Sequence, residues 1–469
     1  MNLDHDLIAQ FSSIVGAANA LVSEADIAPY LTENRDLYHG LSSLVLKPKT
    51  VDEVSAIMKL ASQNRTPVVP QGGNTGLVGA QTPDRSGAAI ILSLSRMNKI
   101  RDVDATGNTM VVEAGVVLKT IQDAADGVDR LFPLSLGSQG SCMIGGNLSS
   151  NAGGTAVLAY GNTRELCLGL EVVLPTGEIM HGLKRLAKDN TGYDLRDLFI
   201  GAEGTLGVIT AAVLKLFPKP KGRAVAFVGT ASPAKALALL NAAKASGTLT
   251  GFELIARLGI EFAARNIEGA RDPLEKPHPW YVLVEFSSVR SDEDAHHGME
   301  ELLTTALENG DAQDAVIAAT LAQGDAFWHL RENLSWAQKP EGGSIKHDIS
   351  VPLTSIPAFI DEAGTAVAAL IPGVRFCTFG HMGDGNLHYN ISQPVGADKA
   401  AYLARWHEVN ALVHDIVAKY DGSISAEHGI GQLKRDELKR FKDKTALDLM
   451  GRIKAAFDPA GVMNPGKVL

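Results

Sequence analysis

Residues 44–79 read LVLKPKTVDEVSAIMKLASQNRTPVVPQGGNTGLVG, and the order of pieces in this stretch sets the fold class. An apolar run at 44–46 precedes a helical pattern over 50–64, a second apolar run at 67–70 and a glycine-dense loop from Gly72 to Gly79. Thr50 and Glu53 have capping-box spacing, and Val54, Ile57, Met58 and Ala61 make one apolar face at helical period. Strand, helix and strand in that order predict a βαβ opening. Further strands are predicted at 88–94 and 110–114. A hairpin is predicted from 172–174 and 178–180 about the turn Pro175-Thr176-Gly177, followed by an apolar run over 206–217. The sequence Pro218-Lys219-Pro220-Lys221-Gly222 then punctuates the chain, and a first domain boundary is placed there.

Beyond the boundary the pattern changes. A strand at 224–229, a helix over 233–245 capped by Ser232 and a strand at 249–254 precede a strand at 281–286, a helix over 292–308 capped by Ser291 and a strand at 315–319. This β-α-β-β-α-β order predicts a ferredoxin-like domain with one sheet face left free. A helix over 326–338, a strand at 345–351 and the segment from 372 onward complete it. The fold class is thus α+β, divided as 1–218, 219–420 and a C-terminal segment 421–469.

A chain of 469 residues, 45% hydrophobic and 20% charged, has ordinary globular composition and needs no disulfide staples. Its 43 basic and 53 acidic side chains leave a net charge of −10, which argues against a nucleic-acid partner. Cys142, Cys167 and Cys377 form no CxxC pair and no zinc spacing, so a reducing, cytoplasmic location is expected. The amino terminus, with Asp4 and Asp6, resembles neither a secretory signal nor a transit peptide, and no apolar stretch has the length of a membrane span.

Three glycine-rich segments carry the first chemical signal: residues 72–79, 137–154 and 201–207. Glycine lets the backbone approach a ligand, and successive N–H groups in such turns form an anion-binding nest. Six of the 18 residues from 137 to 154 are glycine and four are serine. That composition builds no apolar core, so a bound ligand is expected to order it. No GxGxxG follows the first strand, which removes support for a nicotinamide site, and the GxxxxGK at 461–467 lacks the following Ser or Thr of a P-loop.

The second signal is His381-Met382-Gly383-Asp384-Gly385-Asn386-Leu387-His388 with Asn390. Strand alternation puts His388 and Asn390 on one face, and the glycine turn returns them towards His381. Glu427, beside His428 in SAEHGIG, offers a carboxylate. Two His and one carboxylate suit Zn²⁺ and also accept Mn²⁺, Co²⁺ or Fe²⁺. His278 and the pair His296-His297 are read as surface groups. The third signal is Arg331 and Ser335, four residues apart on one predicted helix, with Lys346 on the next strand; converging, they would hold a carboxylate, and otherwise they form a solvated face.

Taken together, PQGGNTGLVG, GSQGSCMIGGNLSSNAGG, GLEVVLPTGE, NTGYDLRDLFIGAEGTLGVIT, FGHMGDGNLHYNIS, SAEHGIG and DPAGVMNPGK resemble the FAD-linked oxidases of the vanillyl-alcohol-oxidase type. The nearest resemblance is to the D-2-hydroxyglutarate dehydrogenases, with D-lactate dehydrogenases and the flavin subunits of glycolate oxidase as relatives. It runs from about residue 40 to the end.

The resemblance implies a two-part FAD-binding domain, a ferredoxin-like substrate (cap) domain and a C-terminal helical segment that completes the active site. FAD would lie on Gly72, Gly73, Asn74, Thr75, Gly76, Leu77 and Val78, on Gly137, Ser138, Gly140, Ser141, Gly145, Gly146, Asn147, Asn151, Gly153 and Gly154, and on Glu203, Gly204, Gly207 and Ile209, with Asn464 by the flavin. No histidine stands in the first glycine loop, so the flavin would be non-covalent. His381, His388 and Glu427 would bind the metal, most simply Zn²⁺, and His428 would be the catalytic base.

Arg331, Ser335 and Lys346 would hold the distal carboxylate of a small 2-hydroxy acid, with Asn390 and His428 at its reacting end; Ser335 replaces the expected Thr. The implied reaction is oxidation to the 2-oxo acid by hydride transfer to flavin, with electrons passing to an acceptor such as an electron-transfer flavoprotein or a quinone. A homodimer is a further expectation.

Overall fold

The computed structural model describes residues 3–246 and 249–469 and divides into two units. The first comprises Met1–Gly153, Tyr160–Pro218 and Glu427–Leu469; the second comprises Gly154–Ala159 and Lys219–Ala426.

In the first unit, β1 (Ala20–Leu21), β2 (Val45–Leu46), β3 (Val68–Gln71) and β4 (Ile90–Ser93) form a sheet in the order β1-β2-β4-β3. Helix α1 (Val51–Asn64) joins β2 to β3, and both strands run parallel to the intervening β4. Thr50 caps α1 by accepting from the Glu53 N–H, while the Glu53 carboxylate takes the N–H of Lys49 at 2.6 Å. Val54, Ile57, Met58 and Ala61 are all fully buried, as one helical stripe requires.

A second, antiparallel sheet has β5 (Ile100–Asp104), β6 (Thr109–Glu113), β7 (Cys167–Val173), β8 (Ile179–Gly182) and β9 (Val208–Lys215) in the order β5-β6-β9-β7-β8. Gly177, at φ 89°, turns β7 into β8, a conformation that favours glycine. Between these strands, α2 (Ile144–Ser150) lies inside the serine- and glycine-rich run. The expectation that this composition builds no apolar core is corrected for this part of the run, since Ile144 and Leu148 are fully buried on α2. A Cβ on Gly145 would stand 2.7 Å from that of Ala114, so this glycine permits helix-on-sheet packing. The carboxyl end joins the same unit: Val68 donates to Val462 and Asn464 donates to Val68, extending pairing beside β3.

The second unit carries β10 (Gly222–Thr230), α3 (Pro233–Ala245), β11 (Leu249–Ala256), α4 (Arg257–Asn266), β12 (Trp280–Ser288), α5 (Asp292–Glu308) and β13 (Asp314–Ile317). Ser232 and Ser291 cap α3 and α5 by accepting from Lys235 and Asp294. The strand order β13-β10-β12-β11 is antiparallel throughout and matches the ferredoxin-like expectation.

The sheet continues through β14 (Ser344–Ile345), β15 (Asp348–Ser350), β16 (Arg375–Gly380) and β17 (Asn386–Ser392). Next to β11 come β16, β17 and β14, with β15 also on β17. Two sequence expectations change here. The helix predicted over 326–338 divides into α6 (Leu321–Glu332) and α7 (Leu334–Ala337) at Asn333, so Arg331 and Ser335 do not share one helix face. His278 is buried, with Nδ1 3.2 Å from the Gln313 amide oxygen, because the loop holding it folds onto β10.

Candidate active site

In the first unit the loop after β3 has the properties of an anion nest. From Gly72 to Val78 no main-chain N–H donates to a protein acceptor among the described residues, and Asn74 sits at φ 54°. A Cβ on Gly73 would stand 2.1 Å from the Ser141 carbonyl, whereas Gly137, Gly140 and Gly146 face open space. Two glycine segments thus lie backbone against backbone, with unoccupied donors beside room for a ligand. The residues present fit the pyrophosphate of a dinucleotide.

Buried amide oxygens of Asn74, Asn147 and Asn464 have no donor among the described residues, leaving acceptors for a polar ring. Other expected flavin contacts have structural work. Asn151, at φ 51°, ends α2 and accepts from the Arg164 N–H. A Cβ on Gly207 would meet Val172 at 2.9 Å, Ile209 is buried in β9, and Gly154 belongs to the second unit. The Asn464 amide donates to the carbonyls of Ala80 and Glu203.

Glu203 was expected among the flavin loops, but its carboxylate takes the N–H groups of Ile430 and Gly431, both at 2.7 Å. Burial pushes its pKa up, to about 7, against the lowering effect of those two bonds. The sign follows from proton linkage. A carboxyl raised in the folded state contributes stability that is complete below about pH 4.5 and is lost as pH rises towards 7, by up to roughly 3 kcal/mol. Urea titrations at pH 5 and pH 8 should show this decline in the parent chain and a shallower one in Glu203→Gln; equal slopes would show that Glu203 does not titrate in this window.

In the second unit, register builds the site. β17 pairs with β16 so that His388 lies opposite Phe379 and Asn390 opposite Cys377. On its other side His388 lies opposite Asp348, and Ile391 opposite Ile345, which carries Lys346 to the position facing Asn390. Cross-strand partners share a face, so Lys346, Asp348, His388 and Asn390 occupy one face with Phe379. Between β11 and β16, Ile255 pairs with Phe379 and Leu254 with Gly380, and continuing that register sets Glu253 opposite His381.

The side chains bear this out. Glu253 Oε1 accepts from His381 Nδ1 at 2.7 Å, and Oε2 accepts from Arg331 Nε at 2.7 Å. The Arg331 guanidinium lies 4.8 Å from the centre of the Phe379 ring, and the rings of His381 and His388 are 5.4 Å apart. Burial would raise the Glu253 pKa, but the charges of Arg331 and His381 overcome it and hold the carboxyl well below the usual range. Arg331 is only 5% exposed, which rules out a solvated face, whereas Ser335 is exposed on α7.

The segment carrying Glu427 and His428 is anchored at both ends. Ser350 and Ser423 exchange backbone hydrogen bonds, and the Ala426 N–H reaches the Asp348 carbonyl at 3.3 Å. Further on, a Cβ on Gly431 would stand 2.1 Å from the Val78 carbonyl. Asp348 and His388 lie opposite one another across β15 and β17 in the second unit, whereas Glu427 and His428 belong to the first. Of the metal ligands expected from sequence, His381 and His388 thus share the second unit, with ring centres 5.4 Å apart. The Nδ1 contact of His381 with Glu253 selects Nε2 as the nitrogen that would coordinate an ion.

Asp348 and Glu253 were missed. Asp348 follows Lys346 by two positions within the strand predicted over 345–351, and Glu253 is a lone carboxylate in the otherwise apolar run Phe252-Glu253-Leu254-Ile255; both patterns signal a buried polar role.

Residues 42–182 match the model of a FAD binding domain, and residues 219–468 match that of the C-terminal domain of FAD linked oxidases. The chain is 36% identical over 470 residues to the mitochondrial D-2-hydroxyglutarate dehydrogenase of Arabidopsis thaliana, covering 100% of this chain and 82% of that one. To the D-2-hydroxyglutarate dehydrogenase of Stutzerimonas stutzeri it is 34% identical over 476 residues, covering 99% of both. With the D-2-hydroxyglutarate–pyruvate transhydrogenase of Saccharomyces cerevisiae it shares 37% identity over 481 residues, covering 100% of this chain and 95% of that one. Among solved structures, p-cresol methylhydroxylase with bound substrate superposes with a TM-score of 0.75 at 17% identity, covering 99% of this chain and 96% of that one. At that identity the likeness speaks to fold.

Proposed function

From the premise that this chain belongs to the FAD-linked oxidases, we propose that it oxidises D-2-hydroxyglutarate to 2-oxoglutarate and passes the electrons to an external acceptor, an electron-transfer flavoprotein or a quinone. The observation that carries this reading is the single sheet face bearing Lys346, Asp348, His388 and Asn390, with Arg331 packed over Phe379 on it. Cationic and amide donors beside a His and carboxylate cluster suit a small anion with a hydroxyl next to one carboxylate. The names of the relatives point the same way.

Each residue has a task. Arg331 and Lys346 neutralise the distal carboxylate and Asn390 orients the proximal one, while Ser335, exposed on α7, takes no part. Asp348, His388, Glu427 and His381 offer ligands for one divalent ion, with Zn²⁺ first among the candidates. When bound, the ion stabilises negative charge developing on the substrate hydroxyl, and FAD takes up the two electrons released at Cα. His428 accepts the hydroxyl proton at a ring nitrogen. Holding hydroxyl, carboxylate and Cα in one orientation converts a bimolecular encounter into a positioned one. Three free, buried cysteines support a reducing, cytoplasmic setting, and among the described residues no helix is long and apolar enough to cross a membrane.

Anaerobic mixing of the FAD-loaded protein with D- and L-2-hydroxy acids of increasing length tests the proposal. D-2-hydroxyglutarate should bleach the flavin rapidly, its L-isomer should not, and prior chelation should slow bleaching by about a thousandfold or more, the size expected when a Lewis acid is removed. A colourless protein, or bleaching indifferent to handedness, would overturn it.

A further inference from the structure

Glu253 is the one carboxylate on β11 that touches both ends of the proposed site. It is fully buried, and its side chain is 1% exposed where those of Arg331 and His381 are 6% and 8%. Oε1 accepts from His381 Nδ1, and Oε2 accepts from Arg331 Nε. Arg331 Nη2 lies 2.6 Å from Oε2 but is poorly aligned to it, so this buried nitrogen has no hydrogen-bond acceptor among the described residues. A guanidinium with a donor still to satisfy sits on one oxygen, and an imidazole with its tautomer fixed sits on the other.

We infer that Glu253 is a positioning residue that joins the metal ligand His381 to the carboxylate-binding Arg331, so that ion affinity and substrate affinity depend on one shared side chain. The inference rests on the functional reading above. By taking the Nδ1 proton, the carboxylate leaves Nε2 as the lone-pair nitrogen and raises its basicity, the usual effect of an acidic partner behind a ligating histidine. By holding the Arg331 Nε, with Nη2 2.6 Å from the same oxygen, it fixes the plane of the fork whose remaining donors a substrate carboxylate would take. Moving the carboxylate by one methylene breaks the sharing, because it cannot then reach both groups.

Co²⁺ titration of the FAD-loaded protein, read by its visible ligand-field bands and by competition with Zn²⁺, tests this alongside steady-state kinetics with D-2-hydroxyglutarate. Glu253→Gln should lower ion affinity about 10- to 100-fold and raise KM by a comparable factor. Glu253→Asp keeps the charge that balances Arg331, so it guards against loss of folding in the first variant. It should still weaken the ion several-fold and raise KM more than it lowers kcat. If either variant folds and binds Co²⁺ as tightly as the parent, with only its thermal stability reduced, Glu253 is purely structural and the inference fails. A parent protein that binds no Co²⁺ would overturn the metal reading itself, an outcome separate from parent and variant binding equally.

Discussion

Replacing His388 by alanine should lower kcat for D-2-hydroxyglutarate by at least a thousandfold and leave flavin content unchanged. A thousandfold loss corresponds to about 4 kcal/mol of transition-state stabilisation, the size expected when a Lewis acid stabilising one developing oxyanion is removed. His388 stands between Phe379 and Asp348 across three strands. It is only half-buried, so its truncation leaves a small cavity and little change in stability. Asp348 would keep its bond from the Asn386 amide, 3.0 Å long, so the remaining ligands stay in position and the loss is specific to the ion. Dialysis of the parent against a chelator should reproduce the loss, and added Zn²⁺ or Mn²⁺ should restore the parent but not the variant. Full activity in His388→Ala, or a parent indifferent to chelation, would remove the metal from the reaction.

The parts of this arrangement legible in the sequence were those written in local periodicity. The α1 stripe, the capped helices α3 and α5, and the alternation of His388 with Asn390 follow from spacing alone, because period 3.6 and period 2 are properties of one segment. What sequence could not supply was the register between segments. Asp348 meets His388, and Glu253 meets His381, only because β15, β17, β16 and β11 are neighbours in the sheet, and β11 is separated from β16 by more than a hundred residues.

The break between α6 and α7 carries no local signal. Residues 326–338 contain no proline or glycine, and Asn333, which closes α6, is also an acceptable interior helical residue. The glycines of 137–154 were recognised as unusual, yet their uses differ. Gly145 packs against Ala114 and Gly146 faces open space, a distinction that depends on the opposing backbone.

Arg331→Ala should cost about 3–5 kcal/mol of stability, because it strands a buried carboxylate without its partner, and it should also depress kcat/KM for D-2-hydroxyglutarate. A loss of activity in that single variant therefore conflates folding with recognition. The pair Arg331→Met with Glu253→Gln separates them. Removing both charges from this apolar surrounding of Ile255, Phe327, Leu330 and Phe379 should recover most of the stability in urea titrations, since replacing a buried ion pair by groups of similar volume is often near neutral.

Turnover of the dicarboxylate should stay low in the repaired protein, by 10²- to 10³-fold, because a charged, hydrogen-bonded contact worth roughly 3–4 kcal/mol is missing. A monocarboxylate of the same handedness, D-lactate, has no distal group for Arg331 to hold. Its kcat/KM should fall only by the smaller amount that follows from freeing His381, and the ratio of the two substrates should shift towards D-lactate. A repaired variant that loses both activities equally would place Arg331 in the scaffold and transfer recognition of the distal carboxylate to Lys346.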